Sequence, residues 1–356
     1  MFNTLNEIML TLKVAFWLAV FIVFYAYLGY GFLLFGVIKI MRLFSPRRKA
    51  PAFSEENLPA VTFIVAAYNE EKWMEDKICN CLSFNYPREK ISLWFVTDGS
   101  NDRTPEVVKN FPAPPGADLQ LFHQPERRGK IAAVERIMPL VKTPVIIFTD
   151  ANTVVNSDAI RNIVRHYADP KVGAVAGEKR IALGEKGDAT GAGEGIYWKY
   201  ESLMKKWDSE LHTVVGAAGE LFSIRTELYQ SVPKDTLIED FVLTLRIAQQ
   251  GYRVVYEPDA YAAESQSASI KEELKRKVRI AAGALQAAWR LRSLLNPGRH
   301  GLLTFQYVSH RLLRWTLAPL ALPFIFVANA VLASGSDFYR LLFWLQVVCY
   351  LVALLG

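Results

Sequence analysis

The alternation of apolar and polar positions divides the chain into a central region and two membrane-length apolar flanks. Between the flanks, short apolar runs alternate with amphipathic stretches. The short apolar runs predict β-strands at residues 61–66, 92–97, 119–123, 145–149, 172–176 and 253–256. The amphipathic stretches predict helices at residues 71–83, 104–110, 131–140, 158–167, 197–207 and 240–250. Strands that alternate with helices are typical of βαβ units, so residues 58–264 are expected to form an α/β domain with a mostly parallel sheet.

The apolar flanks predict a multi-pass membrane protein. Residues 14–38 carry no charged side chain and exceed the roughly 20 residues that cross a hydrocarbon core. They follow a short N-terminal tail, residues 1–13, and precede a basic linker, residues 39–57. By the positive-inside rule this pattern places the central region in the cytosol and the spans in the plasma (inner) membrane. A second span is expected at residues 315–334 and the start of a third at 341–356, where the sequence stops without a polar flank, as a truncated chain does.

Composition and charge agree with a membrane protein and argue against nucleic acid as a partner. The 356 residues are 51% hydrophobic and carry a net charge of +6. The basic side chains cluster beside the apolar spans, which favours membrane lipid as their partner. Residues 265–314 are expected to form amphipathic interfacial helices, because residues 270–295 separate apolar from basic positions; packing against the α/β domain is the alternative. Residues 184–195, with five glycines, predict a mobile loop.

Polar side chains follow the first two predicted strands. The loop Ala67-Tyr68-Asn69-Glu70 ends the first strand and opens a helix, where exposed amides favour a nucleotide; helix capping by Asn69 and Glu70 is the alternative. Asp98 ends the second strand, where its carboxylate can accept a hydrogen bond from a nucleotide base or ribose. A strand-ending turn explains Asp98 equally well.

A candidate metal site follows the fourth predicted strand. Asp150 and Asn152, with one residue between them, can both turn an oxygen toward a single hard cation. Mg²⁺ or Mn²⁺ prefers such ligands and would act as a Lewis acid on a departing diphosphate. The alternative is an ordinary Asp-x-Asn turn.

Two further clusters are candidates for proton transfer and phosphate binding. Glu239 and Asp240 open a predicted helix, and Asp240 is the better placed general base; capping of the helix is the alternative. Lys130 follows Gly129 at another helix start and is a candidate phosphate ligand. Arg276 and Arg279 lie about one turn apart and could join it in clamping phosphate oxygens, although a solvated basic face would show the same spacing.

In this order and spacing the segments resemble membrane-bound family 2 glycosyltransferases, in the branch that includes cellulose, hyaluronan, chitin and poly-N-acetylglucosamine synthases. The resemblance covers residues 58–289 and the flanking spans. It depends on seven motifs: Ala67-Tyr-Asn-Glu-Glu71, Asp98-Gly-Ser100, Arg128-Gly-Lys130, Thr149-Asp-Ala-Asn152, Gly216-Ala-Ala-Gly219, Ile238-Glu-Asp240 and Gly251-Tyr-Arg-Val-Val-Tyr-Glu-Pro258.

The resemblance implies a GT-A fold, Rossmann-like, with named roles for these motifs. Asp98 would contact the uracil of a UDP-sugar, Lys130 the diphosphate, and Asp150 with Asn152 the metal. Asp240 would be the base that deprotonates an acceptor hydroxyl, and the reaction would invert the anomeric centre to give a β-linkage. The acceptor pocket would be shaped by the small residues of one loop, namely Gly216, Ala217, Ala218, Gly219 and Glu220.

The sequence departs from the family pattern at two positions. Asn152 replaces the second Asp of the usual metal motif, which removes one negative charge and keeps an oxygen ligand. Ile280 stands where polymerising members carry the Trp of Gln-x-x-Arg-Trp, and it offers no aromatic face to an acceptor sugar.

The sequence does not identify the acceptor of the sugar. Sugar transfer to a growing polysaccharide or glycan is one hypothesis, and transfer of single sugars to a lipid-linked acceptor is the alternative. A non-catalytic membrane subunit that binds a nucleotide is the alternative from another class. The sequence identifies no export partner.

Overall fold

The computed structural model describes residues 2–44, 54–181, 189–264 and 270–355. The chain forms two compact units, Met41–Leu303 and a second unit that joins Met1–Ile40 to Thr304–Gly356. The eight strands all lie in the first unit, which contains every candidate site residue named above. They are β1 (Val61–Ala67), β2 (Ile91–Asp98), β3 (Asp118–Gln124), β4 (Val145–Asp150), β5 (Thr153–Val155), β6 (Val172–Ile181), β7 (Leu221–Arg225) and β8 (Arg253–Glu264).

In the first unit the helices alternate with the strands, and in the second unit the described residues are almost all helical. They are α1 (Phe2–Phe24), α2 (Tyr30–Phe44), α3 (Glu71–Leu82), α4 (Thr104–Asn110), α5 (Lys130–Ile137), α6 (Ala159–Val164), α7 (Ala189–Leu211), α8 (Glu239–Gln249), α9 (Ile270–Arg290), α10 (Pro297–His300), α11 (Leu302–Tyr307), α12 (Leu313–Trp315), α13 (Leu317–Leu332) and α14 (Asp337–Leu355).

The sheet has the order β3-β2-β1-β4-β7-β6-β8-β5. Strands β1, β2, β3 and β4 pair in parallel, as do β6 and β8. The pairs β4–β7, β6–β7 and β5–β8 are antiparallel. The sheet is therefore mixed: four of its seven strand pairings are parallel, and the three antiparallel ones were not expected from the sequence. Each of the three antiparallel pairings involves one of two short strands, β5 and β7.

The sequence did not predict two short strands. Strand β5 has three residues, and β7 places a buried serine, Ser223, inside its apolar run. In addition, β6 and β8 continue beyond their predicted ends at residues 176 and 256. Their extensions pair with each other around a bulge near Gly177 and carry Lys179 and Glu264 toward the candidate site.

The predicted glycine-rich loop at residues 184–195 is corrected in part. Residues 184–188 lie outside the described residues, whereas 189–195 belong to the first turns of α7. Three glycines in this stretch lower helix propensity by about 1 kcal/mol each, but the rest of the 23-residue helix packs its later turns through buried side chains such as Met204.

The core of the first unit lies between the parallel strands and the helices that cover them. Phe63, Phe95 and Ile147 belong to neighbouring strands and are fully buried. Strands buried on both faces read as continuous apolar runs, which explains why the periodicity of the sequence predicted β1, β2 and β4 correctly. Their carboxyl ends, at Ala67, Asp98 and Asp150, lie side by side because β1 is paired to both β2 and β4.

Apolar helices of membrane length occur at the start of the chain and in a bent pair near its end. Residues Asn6–Phe44 form one helix able to span a bilayer by length and composition, and it includes the predicted span at 14–38. The segments Leu302–Trp315 and Leu317–Leu332 qualify as a second candidate only when taken together, and they meet at an angle of 48°. Pro319 lacks the amide hydrogen that would continue the helical hydrogen bonds, which accounts for the break there.

The predicted spans at 315–334 and 341–356 therefore correspond to half of a bent pair and to α14. Helix α14 is not among the candidate spans of the described residues. The expected tail at residues 1–13 is helical from Phe2 and continuous with the first span.

Candidate active site

The loop after β1 lies against the loop after β2. Asn69, whose φ is 55°, exchanges hydrogen bonds with Asn101: its Nδ2 donates to Asn101 Oδ1 at 2.7 Å and its Oδ1 accepts from the Asn101 amide at 3.0 Å. The Glu70 amide donates to Thr104 Oγ1 at 2.9 Å. Burial, aided by Asp150 and opposed by Lys72, raises the pKa of Glu70. The predicted nucleotide loop, from Ala67 to Glu70, is thus rigidly held beside the metal motif.

Asp98 fixes the loop that leads into α5. Its Oδ2 accepts hydrogen bonds from the backbone amides of Arg128 at 2.7 Å and Gly129 at 2.6 Å. Nearby, the Arg127 guanidinium stacks on the ring of Tyr68, 3.6 Å from its centroid. Asp98 therefore has a structural role that the sequence did not reveal, and its contact with a nucleotide base stays a prediction.

Lys130 joins two of the predicted sites. Its Nζ lies 2.9 Å from Asp150 Oδ1 and 3.0 Å from Glu239 Oε1. Burial lowers the pKa of Lys130, but the Asp150 and Glu239 carboxylates outweigh burial and raise this pKa above its ordinary value. Lys130 stands at the first position of α5, directly after Gly129. The structure thus brings Asp150 of the predicted metal motif, the predicted phosphate ligand Lys130 and the acidic start of α8 into one cluster.

Asp240 lies beside the same cluster and faces the loop from Gly216 to Glu220. A Cβ built on Gly219 would lie 3.5 Å from Asp240 Oδ2 and 3.9 Å from Lys130 Nζ. Burial, together with the neighbouring Glu239 charge and against the Lys130 charge, raises the pKa of Asp240 to about 7. A carboxylate with this pKa is suited to accept a proton near neutral pH.

The loop from Gly216 to Glu220 is anchored at both ends; because the resemblance predicts that it shapes the acceptor pocket, it is called the acceptor loop below. The Ala217 amide donates to Thr244 Oγ1 at 3.2 Å, and this hydroxyl donates to the Asp240 backbone oxygen at 2.7 Å. At its other end, Glu220 forms an ion pair with the buried Lys179. These contacts hold the acceptor loop in register with the start of α8.

Two glycines of the acceptor loop are expected to respond differently to substitution. Gly216 has a φ of 83°, and an added Cβ would lie 2.1 Å from the Phe241 ring, so Gly216→Ala should lower the free energy of unfolding by about 2–4 kcal/mol. Gly219→Ala meets only ordinary contacts and should leave stability within about 0.5 kcal/mol. Gly219→Ala should instead raise the KM for the predicted acceptor severalfold, because the added methyl group would lie 3.5 Å from Asp240 Oδ2. Thermal unfolding and acceptor kinetics on both variants check this split, and equal unfolding temperatures would contradict it.

The metal motif offers a suitable pair of oxygen ligands. Asp150 contributes a carboxylate, and Asn152 donates its Nδ2 to Glu264 Oε1 at 3.3 Å, which leaves its carbonyl oxygen for a cation. These are hard oxygens of the kind that Mg²⁺ and Mn²⁺ prefer, so the residues fit the predicted ion. Within the described ranges, no three His, Cys, Asp or Glu side chains form a metal cluster.

Of the two arginines of α9, Arg276 reaches the edge of the site through Glu264, whereas Arg279 has an exposed side chain. Arg276 pairs with Glu273, its Nε 3.0 Å from Oε2, and approaches Glu264 at 3.9 Å. Arg279 is exposed on the same helix. Their roles as phosphate ligands stay predictions.

The sequence did not predict three charged residues that lie near the site. Lys77 and Lys179 are almost fully buried, and Glu264 connects Lys179 to Asn152. A signal existed for Lys77, because it interrupts the buried stripe of Met74, Ile78 and Cys81 on α3. Lys179 and Glu264 lie in the strand extensions that the sequence did not predict.

Comparison with known proteins identifies the family. Residues 59–283 match the family described as "Glycosyltransferase like family 2". The chain belongs to glycosyltransferase family 2. It is therefore an enzyme, and the hypothesis of a non-catalytic subunit is wrong. The GT-A-like α/β fold, with its mixed sheet, agrees with this family.

Two curated relatives have related sequences. The chain is 28% identical over 218 residues to the poly-β-1,6-N-acetyl-D-glucosamine synthase of Staphylococcus aureus, covering 59% of this chain and 51% of the relative. It is 27% identical over 224 residues to the β-monoglucosyldiacylglycerol synthase of Trichormus variabilis, covering 60% and 46%. The chain thus spans about half the length of the curated relatives it matches.

A solved structure covers almost all of the chain. The mannosyltransferase from Pyrobaculum calidifontis in complex with GDP-Man and Mn²⁺ has a TM-score of 0.73 and 25% sequence identity. The similarity covers 96% of this chain and 97% of that one.

Proposed function

We propose that this family 2 enzyme is a membrane-associated, inverting glycosyltransferase that moves one sugar from a nucleoside-diphosphate sugar to a lipid-linked acceptor. The observation that carries the proposal is the position of Asp240, whose carboxylate faces Gly219 within reach of the Lys130–Asp150 pair. Acceptor, base and leaving group would then meet at the carboxyl edge of the sheet, where α/β folds bind ligands.

The proposed reaction is a single in-line displacement. Asp240 accepts the proton of the acceptor hydroxyl while the hydroxyl oxygen forms a bond to the anomeric carbon. The bond between that carbon and the diphosphate oxygen breaks, and the nucleoside diphosphate leaves with the electron pair. Lys130 donates hydrogen bonds to the diphosphate. A Mg²⁺ or Mn²⁺ ion held by Asp150 and Asn152 would neutralise the negative charge of the leaving group.

The donor proposed from the family resemblance is a UDP-sugar. Asp98 would accept a hydrogen bond from the base through the carboxylate oxygen that does not bind the Arg128 and Gly129 amides. The mannosyltransferase of similar structure was solved with GDP-Man and Mn²⁺, so guanine is the base to test against uracil.

The amphipathic character of helix α9 supports the proposal that the acceptor is linked to a membrane lipid. Among its exposed apolar side chains, Leu274, Val278 and Trp289 are each more than 60% exposed, and basic side chains occupy other positions of the helix. An amphipathic helix of this type binds a lipid surface. The apolar helix Asn6–Phe44 gives a candidate anchor. Placement as a multi-pass protein of the plasma membrane, with the catalytic unit in the cytosol, is part of this proposal.

Polysaccharide synthesis is the second candidate. It is favoured by the 28% identity with the poly-β-1,6-N-acetyl-D-glucosamine synthase. Ile280 argues against it, because this residue stands where polymerising enzymes of the family carry a tryptophan that stacks on the acceptor sugar.

A donor and acceptor screen on the full chain in lipid nanodiscs tests the proposal. UDP- and GDP-sugars are supplied with Mg²⁺ or Mn²⁺, and release of the nucleoside diphosphate is measured with lipid or oligosaccharide acceptors. Products are sized by mass spectrometry. One added sugar on a lipid is expected, and a ladder of long glycans would replace this proposal with the second candidate. No release with any donor would contradict both.

The raised pKa of Asp240 predicts the pH dependence of transfer. A base must be deprotonated, so kcat/KM should fall about tenfold per pH unit below an inflection near pH 7. The Glu239 charge contributes to that raised pKa, and Glu239→Gln should therefore shift the inflection to lower pH. A pH–rate profile between pH 5 and 9 checks both points. A profile flat down to pH 5 would show that Asp240 does not have this role.

A further inference from the structure

A buried lysine lies directly behind the metal motif. Lys77, on α3, is only 2% exposed. Its Nζ donates to the Thr153 backbone oxygen at 2.7 Å, to Thr153 Oγ1 at 3.1 Å and to Thr149 Oγ1 at 3.3 Å. Thr149 and Thr153 stand on either side of the segment that carries Asp150 and Asn152. All three acceptors are neutral oxygens, so a buried positive charge lies at the metal motif without a carboxylate among these contacts.

The contacts of the two threonines make this arrangement rigid. Thr149 Oγ1 donates to the Glu220 backbone oxygen at 2.8 Å, and Thr153 Oγ1 donates to the Asp150 backbone oxygen at 2.9 Å. Lys77 is thereby connected through hydroxyl groups to both the metal motif and the acceptor loop. A neutral hydroxyl group could also form hydrogen bonds with Thr149 and Thr153. The positive charge of Lys77 therefore suggests a role other than packing.

The carboxylates around the metal motif are already paired with basic groups, because Lys130 contacts both Asp150 and Glu239 and Lys179 contacts Glu264. Lys130 contacts Asp150 at 2.9 Å from the solvent side, and Lys77 lies behind the same turn. Residue 152 contributes an amide instead of a second carboxylate. Burial lowers the pKa of Lys77 to about 8. The three hydrogen bonds that Lys77 Nζ donates require the three hydrogens of its charged ammonium form. Two ammonium groups therefore flank the single carboxylate of the motif.

These charges favour binding of a metal ion that is already bound to a nucleoside diphosphate. A free divalent cation is repelled by Lys77 and Lys130, whereas a metal bound to a nucleoside diphosphate carries negative phosphate oxygens that both lysines attract. We propose that Lys77 makes the Asp150–Asn152 motif select the metal–nucleotide complex over the free metal ion. This inference rests on the proposed function, because it takes a nucleoside diphosphate and a divalent metal as ligands of the site.

Replacement of the lysine should change the two affinities in opposite directions. In Lys77→Met the side-chain length is kept and the charge is lost. The Kd for free Mn²⁺ should fall about tenfold, because one repelling charge at short range is removed. The Kd for UDP or GDP in the presence of Mn²⁺ should rise by a similar factor. Loss of a merely structural contact would weaken both affinities together.

Electron paramagnetic resonance of free Mn²⁺ measures the first affinity, and calorimetric titration of UDP and GDP measures the second, both on the full chain. Lys109→Met is the matched control, because Lys109 is exposed in the last turn of α4 and has no role in the proposed site. It should change neither affinity. Lys77→Gln is the second variant that removes the charge, and it keeps a polar group near Thr153. If Lys77→Met does not fold, the same two affinities are measured on Lys77→Gln.

The outcomes separate the inference from the proposed function. Opposite shifts in either charge-removing variant support the role of Lys77. Unchanged affinities, or affinities that both fall, overturn it while the proposed function stands. Failure of the wild-type protein to bind UDP or GDP with Mn²⁺ or Mg²⁺ overturns the proposed function itself.

Discussion

Asp240→Asn is expected to lower kcat for sugar transfer by about 10³-fold, within the range of general-base catalysis. The amide has nearly the same shape and cannot accept the proton of the acceptor hydroxyl. Binding of the nucleotide and metal should stay within about threefold of wild type, since Asp240 faces Gly219 and the proposed acceptor position. Steady-state kinetics and nucleotide titration on the same preparation measure the two effects.

Asp235→Asn is the matched control for this substitution. Asp235 is 71% exposed in the loop before α8, and it pairs with Arg290 at 2.6 Å. Because exposed ion pairs contribute little, its removal should leave kcat within about twofold. If Asp240→Asn turned over as fast as this control, Asp240 would not be the base.

Asp150→Asn is expected to lower kcat/KM by about 10³-fold for a different reason. It removes the only carboxylate of the Asp150–Asn152 pair, and with it most of the attraction for a divalent ion. The effect should appear as lost binding of the nucleotide–metal complex, whereas Asp240→Asn leaves that binding intact. Calorimetric titration with UDP or GDP and Mn²⁺ distinguishes the two variants.

Asp158→Asn serves as the control for the metal motif. Asp158 is an exposed residue before α6 whose Oδ1 accepts a hydrogen bond from Asn85 at 2.7 Å. Its loss should change neither binding nor turnover. Nucleotide binding by Asp150→Asn with wild-type affinity would exclude Asp150 as the metal ligand.

Lys130 explains why these two aspartates are expected to act in one reaction. Its contacts with Asp150 and Glu239 join residues from β4, α5 and α8 in a single charged cluster. In the proposed reaction Lys130 would bind the diphosphate directly beside the carboxylate of Asp150, which is proposed to hold the metal.

The placement of the strand-end residues was predictable from apolar periodicity. Strands β1, β2 and β4 are buried on both faces, so their sequences are continuous apolar runs that end where Ala67, Asp98 and Asp150 reach solvent. The order of the polar motifs also predicted the family correctly. Strand β7 was not predictable in this way, because its five residues include a buried serine and its direction depends on the neighbours it joins.

The amino-acid sequence by itself determined the α/β class, the family and the strand ends that carry Asp98 and Asp150, because burial of strands and helices imposes local periodicities. Only the tertiary structure decided which charges meet. Lys130 reaches both Asp150 and Glu239, and Lys77 lies behind Asp150, through contacts between residues as many as 109 positions apart. Such contacts are set by how strands and helices stack, and no local pattern of the chain records them.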